Sequence, residues 1–324
     1  MQIENHTLKN NSTEKMEFEH EISIFVIPSL ADIDWSNPSV LFKTTLKCFI
    51  KAITARNLYT IGHTIVRIKS PKIPEPYYIA MSGKFHTEKV TSVLVRKMGL
   101  GVLGATLQGH IEPEKRIKKG MEIYSKRGMI GYIRFKVNEQ SIERVTEFIE
   151  HFKTKSTLKC SPSELYNGAT WPRYEMEGSG CSSFGMAILD VAGILPAGSN
   201  EWRVDIKIPM KLIGGEFNGN KKIKIRSILK TTSWFEGKGK EDVGYVRYNV
   251  YDPAKIFNWI KKSRTQNEYG YLPENENNII GLRIDMSHVH VTEPVFLKRV
   301  ASNLFVKHYY KDISDLIVEE DENS

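Results

Sequence analysis

Residues 178–189 read Gly-Ser-Gly-Cys-Ser-Ser-Phe-Gly-Met-Ala-Ile-Leu, a glycine-rich turn that delivers Cys181 to the start of an apolar helix. Phe184, Ala187, Ile188 and Val191 recur at the spacing of one helix face, and Gly193 supplies a stop. A thiol at that place meets unpaired backbone N–H groups and the positive end of the helix dipole, and both favour a thiolate. The same N–H groups can hold the oxyanion of an attacked carbonyl. A cysteine nucleophile needs a base, so the rest of the chain is read for one.

Composition sets the frame. The 324 residues carry 40% hydrophobic and 26% charged side chains, as soluble globular chains do. No apolar run approaches the roughly 20 residues of a membrane span. Residues 1–21 are polar, without the apolar stretch of a secretory leader. This points to the cytoplasm, or to export without a signal peptide, as for a bacterial effector. Cys48, Cys160 and Cys181 make an odd set with no CxxC pair, against a disulfide framework or structural zinc. The net charge of +8 invites a nucleic-acid partner. The lysine clusters at 115–119, 221–224 and 261–262 lack interleaved aromatics, so none is expected.

The order of elements carries more. After a flexible arm over 1–21, Ile22–Ile27 reads as a buried strand and Leu41–Ala55 as a helix. Thr60–Ile68 is a β-branched strand holding His63, and Tyr77–Ser82 is its expected hairpin partner beyond the proline-bearing bend 71–76. Gly131–Val137 alternates as a strand, and Asn138 caps a helix running to about Lys153. Beyond Gly193 short strands are expected at 202–208, 223–229 and 244–251. A helix after Asp252-Pro253 and a strand over 279–284 follow.

His63 is the preferred base, with Gly62 before it permitting a close backbone approach. The run Gly62-His63-Thr64-Ile65-Val66-Arg67-Ile68 precedes Gly180-Cys181-Ser182-Ser183-Phe184, and Tyr132–Phe152 lies between them as strand then helix. This order resembles the circularly permuted papain-like hydrolases of the NlpC type and their lecithin:retinol acyltransferase relatives. In that group the histidine strand precedes the cysteine helix. The resemblance covers roughly residues 22–195. It implies an α+β fold with an antiparallel sheet packed on helices, and Cys181-His63 chemistry on peptide, peptidoglycan-type or acyl substrates. Residues 196–315 are then a C-terminal extension or second subdomain, and 316–324 an acidic tail. Relatives often carry Asn before the cysteine, where this chain has Gly180. No cofactor or metal is expected.

The third polar residue is open. Hairpin pairing would bring Ser82 near His63, with Glu75, Tyr78 and His86 as competitors. His110 is an alternative base, Cys48 a core residue and Cys160 a bystander. Trp171, Tyr166 and Tyr174 line a substrate cleft or pack in the core. His288 and His290, with Asp285 or Glu293, could pair on a metal but lack a firm third ligand. Three functions therefore compete: a thiol amidase or peptidase, with an acyltransferase as its variant; a binding module with a basic surface; and a metal-dependent hydrolase.

Overall fold

The computed structural model describes residues 19–314 except 55–56, 85, 155–158 and 267–269, and it leaves out the side chains at 53, 86–87 and 89–90. The arm up to residue 18, the acidic tail and the His86 side chain lie outside the described residues. The strands are β1 (Glu21–Ile27), β2 (His63–Lys69), β3 (Tyr77–Ile79), β4 (Met81–Gly83), β5 (Leu107–Ile111), β6 (Gly131–Lys136), β7 (Leu165–Tyr166), β8 (Arg203–Pro209), β9 (Tyr245–Tyr251), β10 (Leu272–Glu276) and β11 (Ile279–Asp285). The helices are α1 (Pro38–Thr54), α2 (His86–Leu94), α3 (Glu114–Lys126), α4 (Glu139–Thr154), α5 (Cys181–Val191), α6 (Ile225–Leu229), α7 (Pro253–Gln266) and α8 (Leu304–Ile313). The architecture is α+β, with mixed sheets packed against helices.

Six strands in the order β10-β11-β6-β1-β2-β3 form the main sheet. All its pairings are antiparallel except β11 with β6. Alternation along β1 explains why both faces are covered. Ile22, Ile24 and Val26 join Phe148 of α4, Phe184 of α5 and Ile260 of α7 in the largest apolar cluster. Phe25 and Ile27 point the other way, onto Ile117 and Tyr124 of α3. A run buried on both faces reads as continuous apolar sequence, as Ile22–Ile27 does. A buried ion network crosses the sheet. Arg67 on β2 meets Glu21 at 2.7 Å and Glu276 of β10, so the C-terminal hairpin is tied to the first two strands.

A second apolar cluster joins the β8–β9 hairpin to Leu100, Leu107, Phe217 and Phe305 of α8. Between the clusters lies a three-stranded sheet in the order β4-β5-β7.

Two elements differ from expectation. Tyr77–Ser82 is not one strand, because the chain changes sheets at Ala80. Ile79 pairs with Val66 on β2, whereas Ser82 pairs with His110 on β5. The second difference is at 223–229, where Ile225–Leu229 forms a short helix rather than a strand. Ile228 enters the second cluster there, and burial overrides β-branched preference.

Candidate functional site

The Cys181 turn is held by close approach of backbones. The Ser179 N–H donates to Leu165 O at 3.0 Å, and a Cβ on Gly178 would lie 2.0 Å from that same oxygen. Only glycine fits. The Tyr309 hydroxyl accepts from the Gly178 N–H at 2.7 Å and donates to Met176 O at 2.7 Å, closing the loop. Ser183 Oγ accepts from the Gly180 N–H at 3.1 Å, which caps the first turn of α5. Cys181 itself is half-buried at the first helical position, on the wall of two adjoining cavities.

Helix α5 lies directly on β2. A Cβ on Gly185 would come within 2.7 Å of Thr64 Cγ2, and Thr64 Oγ1 shares a hydrogen bond with Ser182 Oγ at 3.3 Å. His63 opens β2 next to that contact, after Gly62 at φ +87°, a backbone conformation that disfavours any other residue. The fold therefore brings His63 and Cys181 to the wall of one small cleft, near enough for the thiol to act on the imidazole. Two residues far apart in sequence come together because α5 packs closely on β2, with the bare Gly185 facing the Thr64 side chain.

Behind His63 stands a carboxylate that no local motif marks. Glu112 follows β5 directly, and its N–H donates to Ala80 O at 2.9 Å. Glu112 Oε1 lies 3.2 Å from His63 Nε2, an ion-pair distance off the straight line of a hydrogen bond. The Tyr59 hydroxyl donates to Glu112 Oε2 at 3.0 Å, and the Tyr59 ring stacks on His63 with centroids 3.9 Å apart. Ser82, paired with His110 on β5, lies near enough to Glu112 to help hold the carboxylate ionised. Ser82 thus reaches the site behind the carboxylate and not across a ladder from His63.

The electrostatics are those of a coupled buried pair. Burial alone would push the His63 imidazolium down, but the neighbouring Cys181 side chain and Glu112 carboxylate bring it up to about 9. Burial would raise Glu112, yet the His63 partner and the Ser82 and Tyr59 donors hold it well below the usual carboxylate range. The pair is therefore imidazolium and carboxylate at neutral pH.

Tyr166, at the end of β7, completes the set. It borders the same cleft and cavity as Cys181. Burial and the nearby thiol push the phenol well above its ordinary range, so it keeps its proton. A small cleft of about 60 Å³ is bordered by His63, Cys181, Tyr166 and Ser82. It adjoins an apolar cavity of about 410 Å³ that reaches Cys181 and is walled by Phe42, Phe49, Leu100, Leu103 and Tyr248. A larger polar cleft of about 700 Å³ is lined by Arg203, Arg247 and Arg299, with no cysteine or histidine on its walls. Cys181 and His63 therefore stand at the smaller cavities and not at the polar cleft.

The remaining candidates stand elsewhere. Tyr78 pairs with Arg67 well along β2 from His63, and Glu75 is exposed in the bend before it. His110 lines neither the cleft nor the cavity, and its burial lowers its basicity. Trp171 and Tyr174 line the polar cleft. Cys48 is buried and donates to Ala31 O at 3.0 Å, and Cys160 packs beside Leu165 and Tyr309. His288 and His290 are exposed in a turn after β11, and no cluster of three metal-ligating side chains occurs among the described residues.

Comparison with protein-family models, with curated proteins and with solved structures finds no match to this chain.

Proposed function

We propose that this chain is a cysteine-dependent acyl hydrolase on a permuted papain-like scaffold, cleaving an amide, ester or thioester bond. The observation that carries the proposal is His63 sharing one small cleft with Cys181 while paired with Glu112, which fits the nucleophile, base and orienting group of a thiol triad. Cys181 Sγ attacks the carbonyl carbon, and the imidazole takes or already holds the thiol proton. His63 Nε2 faces Glu112, which leaves Nδ1 to serve the sulfur. The oxyanion is met by the Cys181 N–H and the Tyr166 O–H. Collapse breaks the bond to the leaving amine, alcohol or thiol, which departs with the proton from His63. Water, deprotonated by His63, then attacks the thioester and releases the acid and the free thiol.

The apolar cavity beside the sulfur favours an aliphatic acyl part. An acceptor other than water would make the same intermediate an acyltransferase. The scaffold reading is supported by the order of parts, with a histidine strand in an antiparallel run β3-β2-β1-β6 and a later cysteine helix packed on it. The test is covalent labelling by a thiol-directed acyl probe. Cys181→Ala should abolish labelling and turnover while the circular dichroism spectrum is kept, and unchanged labelling would overturn the proposal.

A further inference from the structure

The cavity's outer wall is made by α1 and the end of α2, and part of that wall faces water. Leu46 and Ile50 of α1 and Leu94 of α2 line the cavity yet are each half-exposed or more, at 50%, 55% and 52%. Val95, next to Leu94, is 71% exposed. Apolar side chains of this size are seldom left to water in one patch without a partner.

Charge says which partner. Lys43, Lys47 and Lys51 repeat every four residues along α1, so they form one row beside the Leu46–Ile50 stripe. All three are exposed, and α1 contains no acidic residue. Arg96 and Lys97, exposed directly after Val95, repeat the pairing of apolar and basic groups at the end of α2. A helix with an apolar stripe flanked by lysines is the pattern that lies in the plane of an anionic bilayer surface.

We propose that the face formed by α1 and the end of α2 docks on an anionic lipid bilayer and opens the cavity towards it. The apolar wall residues sink among the headgroups while the lysine row meets lipid phosphates and carboxylates. This goes beyond the acyl-hydrolase reading, since docking needs no thiol, and it gives an aliphatic chain a route from bilayer to Cys181.

The test is co-sedimentation of the full chain with vesicles of phosphatidylcholine alone and of phosphatidylcholine with phosphatidylserine. Binding to the anionic vesicles, lost at high salt, is expected, with little binding to neutral ones. Lys43→Glu/Lys47→Glu/Lys51→Glu should weaken anionic-vesicle binding by about tenfold or more. Arg96→Glu/Lys97→Glu should weaken it as well, which keeps the test open if the triple variant does not fold. Cys181→Ala should bind like the parent, so loss of the chemistry and loss of docking are read separately. Absence of anionic-vesicle binding, equal binding by folded charge-reversed variants, or a dimer in solution abolished by Val95→Asp would each overturn the proposal.

Discussion

Glu112 Oε1 stands 3.2 Å from His63 Nε2 with neither side chain in appreciable contact with solvent, so each group's charge is sustained by the other. Removing one partner of such a buried pair typically costs about 3–5 kcal/mol, because the survivor is left uncompensated. Glu112→Ala should therefore lower the urea midpoint by a large margin. Glu112→Gln keeps shape and hydrogen bonding but removes the anion, so it should cost less stability and more activity. Equal midpoints for wild type and Glu112→Ala would show that the pair does not form.

The sign of the pH dependence follows from the same pair. His63 is raised from an ordinary 6.5 to about 9, so its contribution to stability is fully present below 6.5 and lost as pH rises through about 9. Glu112 is depressed, so its contribution is present above 4.5 and is lost only in strong acid. Protonation of the leaving group needs the imidazolium, so turnover should decline above about pH 9. Alkylation of Cys181 by iodoacetamide needs no such proton and should not decline there. Glu112→Gln should move the alkaline limb of kcat/KM downward, and an unmoved limb would remove Glu112 from the triad.

Tyr166→Phe deletes the hydroxyl proposed as an oxyanion donor beside Cys181. Loss of an oxyanion donor costs about 10²–10³ in kcat. The expected signature is a fall of that order in kcat with KM nearly unchanged. Iodoacetamide reacts without an oxyanion and should label Tyr166→Phe at close to the wild-type rate. A variant that keeps its kcat would return Tyr166 to the role of cavity wall.

How far the site was legible can be judged from these residues. The Cys181 turn and the His63 strand show in local pattern, since glycines and a single-face apolar spacing are short-range signals. Glu112 does not. It reaches His63 only because β5 pairs with β4 in a separate sheet, and that sheet exists because the chain changes partners at Ala80. Nothing local in Tyr77–Ser82 marks a break there, so hairpin pairing points to Ser82 and away from the carboxylate. The alternation of Leu107, Gly109 and Ile111 before Glu112-Pro113 was the available hint of a strand ending at a charged residue. The cavity was illegible for the same reason, since its walls come from α1, α2, β5, β7 and β9.

An aliphatic acyl chain in that cavity should show itself in chain-length dependence. Each methylene moved from water to an apolar wall gains about 0.8 kcal/mol, or roughly a fourfold change per carbon. A series of soluble acyl thioesters should show kcat/KM rising by about that factor per carbon until the cavity is full, then levelling. Short peptides with no acyl chain should be poor substrates. A flat series would mean the cavity takes no part in binding.

Gly185 offers a test of the packing that brings sulfur and imidazole together. It sits one turn after Cys181, and an added Cβ would lie 2.7 Å from Thr64 Cγ2, nearer than real contacts allow. Thr64 is β-branched and fixed on β2, so its methyl cannot swing aside. Gly185→Ala should instead push α5 off β2 by a few tenths of an ångström and lengthen the contact between Cys181 and His63. Overpacking of this kind costs about 1–3 kcal/mol, and a misplacement approaching 1 Å can cost about 10²-fold in rate. Thr64→Ser removes only the offending methyl and keeps the hydroxyl that bonds Ser182, and the next atoms around that Cβ lie 3.7 Å away. The double variant Gly185→Ala/Thr64→Ser should therefore recover most of the activity and stability lost by Gly185→Ala. Additive losses in the double variant would show that the two positions do not set the distance between nucleophile and base.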